Sequence, residues 1–272
     1  MPELPEVETT RLSLLLDTLG QRVSKVTIRQ AQLRQRVSDE LGSLIEGSTL
    51  LGIRRRAKYL LLDFEQGTLI VHLGMSGSLR SVPGTTPLRK HDHVDIALGE
   101  GRPILRYHDP RRFGLMVWGG RAPEAHPLLA HLGVEPLEPG FTPTWLYRAS
   151  RDRKTALKVF LMDPAQVVGV GNIYASESLF RAGLSPLKAA GRLTRPAAER
   201  LCVAVRATLQ EALDSGGSTL RDYVNGLGDP GAFQLKLRVY GRGGEPCLHC
   251  GAPIRQIRQA QRSTFYCPRC QR

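Results

Sequence analysis

At 272 residues the chain has room for two domains, each with its own core. An apolar content of 41% is that of a soluble globular protein. With no apolar run of membrane-spanning length and no secretory signal pattern, the sequence predicts a cytoplasmic protein. A net charge of +13 and a pI near 10.0 point to a polyanionic partner, nucleic acid first; a membrane surface is the rival, but no segment forms an amphipathic helix with an all-basic polar face.

The chain opens Met1-Pro2-Glu3-Leu4-Pro5-Glu6-Val7-Glu8. Leu12, Leu15, Leu16 and Leu19 recur at i, i+3, i+4 and i+7, which predicts a helix with those leucines on one apolar face and Gly20 as its stop. Proline in the first turn and glutamate at the positive end of the dipole are ordinary helix-start chemistry. If Met1 is removed, as is usual before a small residue, Pro2 becomes a free secondary amine at the mouth of the helix, with Glu3 and Glu6 on the same side. Burial and the helix dipole lower such an amine from the roughly 7.7–8.0 of an ordinary α-amino group, while the two glutamates raise it. A useful fraction then stays neutral and nucleophilic.

Positions 22–135 read mostly as β, with strands expected over 22–29, 50–64, 68–75, 93–98, 104–108 and 115–118 and a turn at Glu65-Gln66-Gly67. Short antiparallel strands of this kind make a sandwich. In the long run 50–64, strand alternation sends Arg54, Arg56 and Lys58 to one face. Those cations serve equally as a charged edge against aggregation or as phosphate contacts. Three polar, kinked loops follow: His72-Leu73-Gly74-Met75-Ser76-Gly77, Lys90-His91-Asp92-His93 and Asp109-Pro110-Arg111-Arg112-Phe113-Gly114. Met75 and Phe113 would be core residues by composition, but on glycine-flanked basic loops an apolar tip can wedge between bases. His91 and His93 lack a third ligand in view, so solvent or phosphate contact outranks a metal.

Residues 119–147, rich in proline and glycine and without clear periodicity, read as an inter-domain connection. Helices are expected over 154–162 and 173–182, joined through Asp163-Pro164 and Gly169-Val170-Gly171-Asn172, with Asn172 as N-cap and Gly183 as stop. Another starts near Thr194 and turns Leu201, Cys202, Val205, Leu209 and Leu213 inward. The segment 215–231 has the small, mobile composition of a lid, a base-reading loop or a linker.

The most specific spacing closes the chain: Cys247-x2-Cys250, sixteen residues, then Cys267-x2-Cys270. This is the four-cysteine pattern of one structural Zn²⁺, with two disulfides as the alternative that a reducing cytosol disfavours. Four thiolates leave no open coordination position for catalysis, and His249 is spare. The hairpin between the pairs is basic, with Arg262 near its turn.

Taken together, Pro-Glu-Leu-Pro-Glu-Val-Glu-Thr, Arg-Arg-Ala-Lys-Tyr-Leu, His-Leu-Gly-Met-Ser-Gly, Lys-His-Asp-His, Asp-Pro-Arg-Arg-Phe-Gly, Val-Gly-Asn-Ile-Tyr-Ala-Ser-Glu and Gln-Arg-Ser-Thr-Phe-Tyr-Cys resemble the formamidopyrimidine-DNA glycosylase family from end to end. Leu4 favours it over its relative endonuclease VIII, which usually has Gly there; Arg153 and His108 are mild departures from the Lys and Thr common in the family. The resemblance implies an α+β, two-domain fold. An N-terminal antiparallel β-sandwich with a leading helix would span 1–130 and a linker 131–150. A helix-two-turn-helix domain would follow over 151–235, and a zinc hairpin over 236–272. It implies a monomeric, nucleoid-associated enzyme without organic cofactor that excises 8-oxoguanine and formamidopyrimidines from damaged double-stranded DNA and nicks the strand. By the family pattern Pro2 is the nucleophile, Glu3 the general acid, Glu6 its support, and Lys58 and Arg262 assist elimination. Arg153, Lys154, Asn172 and His91 would hold the backbone, and Met75, Arg111 and Phe113 would fill the gap left by the flipped nucleotide. Two other classes stay open on sequence: a non-catalytic zinc-ribbon DNA binder and an N-terminal-proline tautomerase.

Overall fold

A computed structural model describes residues 1–217 and 233–272, so most of the expected lid or linker segment 215–231 lies outside the described residues. The chain divides into two compact units, one built on Met1–Ala130 and the other on His131–Asp214 with Phe233–Arg272.

The first unit opens with helix α1 (Leu4–Thr18), capped by Glu3 and with Pro5 in the first turn, where its missing N–H costs nothing. The Glu3 N–H donates to Glu6 Oε2 at 2.8 Å, half of a capping box that the two glutamates close. Gly20, at φ 74°, lies just past the end as expected. The buried face is not the expected leucine stripe. Leu12, Leu16 and Leu19 are exposed, and the core side carries Leu4, Val7, Thr10, Ser13, Leu14 and Thr18. The hydroxyls of Thr10, Ser13 and Thr18 donate to the carbonyls of Glu6, Thr10 and Leu14 in the same helix at 2.8–2.9 Å. With their polar needs met locally, these residues pack as small apolar ones.

After α1 come β1 (Lys25–Ile28), a short helix α2 (Leu41–Ile45), β2 (Leu50–Arg56), β3 (Tyr59–Phe64), β4 (Gly67–His72), β5 (Ser78–Val82), β6 (Asp92–Ala97), β7 (Ile104–His108) and β8 (Leu115–Gly120). They form two antiparallel four-stranded sheets, ordered β1-β6-β7-β5 and β2-β3-β4-β8. Their inward faces, with Val7 and Leu14 of α1, share one core that includes Leu60, Leu62, Val71, Val94, Leu105 and Tyr107. The run 50–64 is a hairpin rather than one strand. Arg56 pairs with Tyr59, and Ala57 takes φ 55°, so Lys58 stands on the turn and alternation stops at Arg56. Arg54, on the edge strand β2, donates to Asp63 at 2.6 Å and Glu124 at 2.9 Å, the charged-edge arrangement of the two left open above.

The second unit carries α3 (Pro143–Ser150), α4 (Leu157–Met162), α5 (Asn172–Ala182), α6 (Arg195–Asp214) and the hairpin β9 (Arg255–Gln259)–β10 (Arg262–Tyr266). α3 rises from the proline-rich stretch that shows no periodicity, because Thr142 caps it, accepting from the Trp145 N–H at 3.0 Å, and Pro143 fits its first turn. Gly171, not Asn172, is the N-cap of α5, and Gly183 at φ 67° ends the helix. α6 buries Leu201, Cys202, Val205 and Leu209 as expected, with Leu213 half-buried. The Cys202 thiol donates to the Phe141 carbonyl, and burial pushes its pKa up, as for an inert core thiol. The hairpin packs on Phe180 of α5 through Val239, Ile254 and Phe265. Among the described residues no helix is long and apolar enough to cross a membrane.

Candidate active site

Pro2, Glu3 and Glu6 are buried together where α1 begins, with Glu3 3% and Glu6 2% exposed. Met1 is present and 42% exposed, and its peptide bond occupies the Pro2 nitrogen, so the amine forms only when Met1 is cleaved. One turn along, Glu8 accepts from Arg11 at 2.6 Å and from Arg55 at 3.0 Å, and a second nitrogen of Arg55 donates to the Ala57 carbonyl at 3.0 Å. Burial raises the Glu8 carboxyl, but the two guanidiniums outweigh it and hold its pKa below the ordinary carboxylate value. The first turns of α1 are thereby tied to the β2–β3 turn that presents the half-buried Lys58.

Burial, reinforced by Lys58 and Arg34, pushes His72 down to about 4, so its imidazole is neutral at working pH and accepts the Gly74 N–H on Nδ1 at 2.9 Å. The sign for stability follows from linkage. Between the ordinary value of about 6.5 and about 4 the unfolded chain binds more protons, so stability present above that window is lost as pH falls through it, up to about 3 kcal/mol. Denaturant midpoints measured from pH 7 to pH 4 should fall less steeply in His72→Gln than in the parent protein; parallel curves would contradict the assignment.

The Met75 loop and the 109–114 turn are locked to each other through backbone. A Cβ on Gly74, at φ 67°, would meet Gly114 N at 2.4 Å, and one on Gly114 would meet the Tyr107 hydroxyl at 1.8 Å and the His72 carbonyl at 2.4 Å. Asp109 Oδ2 accepts the Gly114 N–H at 2.8 Å, and the Tyr107 hydroxyl donates to the His72 carbonyl at 3.1 Å. Arg111 and Phe113 project from this turn, both exposed, with the guanidinium carbon 4.8 Å above the ring. Met75 is half-buried in the facing loop. His91 is half-buried and sits edge-on to His93 and His108, while His93 is buried with Nε2 2.8 Å from the Asp109 carbonyl oxygen.

In the second unit Arg153 and Arg262 line one cavity of about 320 Å³ with Thr155, Lys158 and Gln259; Lys154 is exposed and is not among its lining residues. Lys158, 1% exposed, donates to Asn172 Oδ1 at 2.6 Å, Thr264 Oγ1 at 2.7 Å and the Ser263 carbonyl at 3.2 Å. Asn172 in turn donates to the Ser263 carbonyl at 2.9 Å. The start of α5 is pinned to β10 next to Arg262. Farther on, the sulfur atoms of Cys247, Cys250, Cys267 and Cys270 lie within 4.8 Å of one another, with Cys250–Cys267 at 3.5 Å and Cys247–Cys270 at 4.0 Å. Those spacings fit the roughly 3.8 Å edge of a thiolate tetrahedron with zinc–sulfur bonds of about 2.3 Å.

Residues 1–116 match the formamidopyrimidine-DNA glycosylase N-terminal domain, 132–224 its H2TH domain, and 244–272 the zinc finger found in FPG and IleRS. The formamidopyrimidine-DNA glycosylases of Methylococcus capsulatus and Syntrophotalea carbinolica are 53% and 54% identical to this chain over 272 residues, covering all of each. The chain belongs to the formamidopyrimidine-DNA glycosylase family. Among solved structures, MutM (Fpg) from Thermus thermophilus is 42% identical at a TM-score of 0.86, covering 99% of this chain and 98% of its own. The Lactococcus lactis Fpg complex with abasic-site DNA is 33% identical at 0.91, covering 99% of each chain.

As in the family's zinc finger, the four cysteines hold one structural zinc, which adds to the small apolar cluster that the hairpin shares with Phe180 of α5. His249 Nδ1 is 3.5 Å from Cys270 Sγ, outside the four-sulfur set. Chelation should release the hairpin, displace Arg262 and weaken binding to duplex DNA about tenfold or more while the sandwich keeps its own melting transition. Full affinity in zinc-free protein would show the hairpin to be peripheral. In the second unit, two buried charges among the described residues have roles that the sequence does not foretell. One is Lys158, whose signal is a lone cation inside the apolar helix Leu157–Met162. The other is Glu177, 1% exposed, whose carboxylate accepts the N–H groups of Arg238, Val239 and Tyr240 at 2.9–3.1 Å. Glu177 closes the Val-Gly-Asn-Ile-Tyr-Ala-Ser-Glu motif, but no spacing in the sequence marks it as a buried acceptor of backbone N–H groups.

Proposed function

We propose that the chain, once Met1 is removed, is a bifunctional DNA glycosylase and abasic-site lyase that excises oxidised purines, 8-oxoguanine and formamidopyrimidines, from double-stranded DNA. It acts as a monomer at the nucleoid, without an organic cofactor. The observation that carries the reading is the burial of Pro2 with Glu3 and Glu6 at the head of α1, in a chain whose relatives carry this enzyme's name.

The Pro2 nitrogen attacks the deoxyribose C1′ as the bond to the damaged base breaks, and the base leaves with its electron pair and a proton. Glu3, buried beside Pro2, delivers a proton to the ring oxygen as the sugar opens, and Glu6 keeps Glu3 in place through the capping box. The iminium left at C1′ acidifies the C2′ protons; loss of one expels the 3′ phosphate, and a second elimination expels the 5′ phosphate. Lys58 and Arg262 bind the phosphates that flank the lesion and stabilise the charge that develops on them. His91, Arg153, Lys154 and Asn172 hold the backbone, Asn172 with one amide arm already spent on the hairpin. Met75, Arg111 and Phe113 occupy the space the flipped nucleotide leaves, which fits two loops held rigidly to one another.

The test is single-turnover cleavage of an end-labelled duplex with one 8-oxoguanine. The reading expects a gap bounded by phosphate at both ends. Tight binding with no cleavage would select a zinc-ribbon DNA binder, and faster cleavage at an oxidised pyrimidine an enzyme like endonuclease VIII.

A further inference from the structure

The outer face of the β1-β6-β7-β5 sheet carries a cluster of cations that the proposed chemistry does not use. In the β5–β7 register Ser78 lies opposite His108 and Arg80 opposite Arg106, so Ser76, Ser78 and Arg80, two apart, lead along one face from the Met75 loop. A cavity of about 320 Å³ opens there, lined by Ser76, Ser78, Arg80, Arg89, His108 and Arg111.

Arg80 is 8% exposed, and among the described residues neither its Nε nor the Ser76 hydroxyl has a hydrogen-bonding partner. The neighbouring carboxylates are already committed. Asp95 accepts both arms of Arg106 at 3.0 Å and Arg29 at 2.7 Å. Asp92 accepts from His108 and from the Arg89 N–H, both at 2.8 Å. Asp92 favours the Arg80 charge from a distance but gives it no hydrogen bond, while Arg89 and Arg106 oppose it. A buried guanidinium left in this state is costly unless an anion completes it. Three arginines, a histidine and two serine hydroxyls around one small cavity are the donor set for a tetrahedral oxyanion.

We propose that this cavity binds a phosphate group, and that its source is a backbone phosphodiester of the strand opposite the lesion. The choice of strand rests on the proposed place of Arg111 in the gap left by the flipped nucleotide, where its guanidinium faces the orphaned base: a residue that lines this cavity and also meets that base places the cavity next to the base's own strand. Arg80 and Arg89 then grip the phosphate from the protein side while Arg111 reaches past it.

Duplexes carrying an abasic-site analogue, with a single methylphosphonate placed in turn at each phosphate of the undamaged strand, test this by equilibrium binding. The parent protein should lose affinity about five- to tenfold at one or two adjacent positions. Arg80→Met should bind the unmodified duplex more weakly by a similar factor, show no further loss at those positions, and have a salt slope smaller by about one. Its melting temperature without DNA should be unchanged or higher, because the substitution removes a charge that has no partner. If Arg80→Met does not fold, Arg89→Gln, which is exposed, tests the same coupling. No sensitive position in the parent, or undiminished sensitivity in the variants, overturns the proposal. Inorganic phosphate that raises the parent's melting temperature, without any methylphosphonate coupling, overturns the DNA assignment in favour of free phosphate. The imine chemistry is scored separately, by borohydride trapping of the parent protein, so failure of one reading leaves the other standing.

Discussion

A chain that keeps any residue in front of Pro2 should lose base excision by about a thousandfold or more while binding duplex DNA within a few-fold of the processed protein. One lone pair starts the reaction, and an amide nitrogen does not offer it. Affinity, by contrast, is spread over many of the cations behind the +13 net charge, so no single N-terminal change removes it. Pro2→Gly restores an amine but not the ring that fixes its direction, and it too should impair excision far more than binding. Single-turnover excision and equilibrium binding on the same lesion duplex separate the two quantities. Comparable losses in both would mean that Pro2 serves the fold or the DNA contact and not the chemistry.

Arg111→Ala should slow excision opposite cytosine strongly and opposite adenine weakly. The orphaned cytosine presents its O2 and N3 acceptors to a guanidinium fork, whereas adenine places a donor there. By analogy with bidentate base contacts the difference is worth about 1–3 kcal/mol, or roughly a factor of five to a hundred and fifty. Arg111 is exposed on a turn whose backbone Gly74 and Gly114 leave no room to relax, so its loss should not be offset by the loop moving. Rates that fall equally on both duplexes would make Arg111 a phosphate or stacking residue.

Much of this organisation is legible in the sequence, and the failures have physical causes. The zinc set is readable because four cysteines at that spacing serve few other purposes, and the structure brings the four sulfurs together. Helix α5 announces itself through its stop at Gly183, and α6 through Pro196 in its first turn and the inward run Leu201, Cys202, Val205 and Leu209. The inward face of α1 is misread because Thr10, Ser13 and Thr18 satisfy their hydroxyls on their own helix, which hydropathy does not register. The turn at Ala57-Lys58 is invisible because neither residue is a turn former; Arg55 holds the Ala57 carbonyl instead. Strand β5 is missed because Ser78, Arg80 and Ser81 break its apolar pattern. The proposed catalytic and DNA-contact residues come through resemblance of whole motifs, since a proline after the initiator methionine or a lone asparagine carries little by itself. Glu177 reaches backbone N–H groups more than sixty residues away in sequence, and two of the three Lys158 acceptors lie more than a hundred away, distances at which local pattern is silent.

The central claim is that the Pro2 nitrogen becomes covalently joined to the sugar it attacks. Borohydride reduction of the processed protein on duplex DNA containing 8-oxoguanine, followed by proteolysis and mass spectrometry of the adduct, tests it directly. The account predicts a stable protein–DNA species whose modification maps to the N-terminal nitrogen of the peptide beginning at Pro2, and its absence from the Met1-bearing chain. An adduct on a lysine, or efficient strand cleavage with no adduct at all, would contradict it.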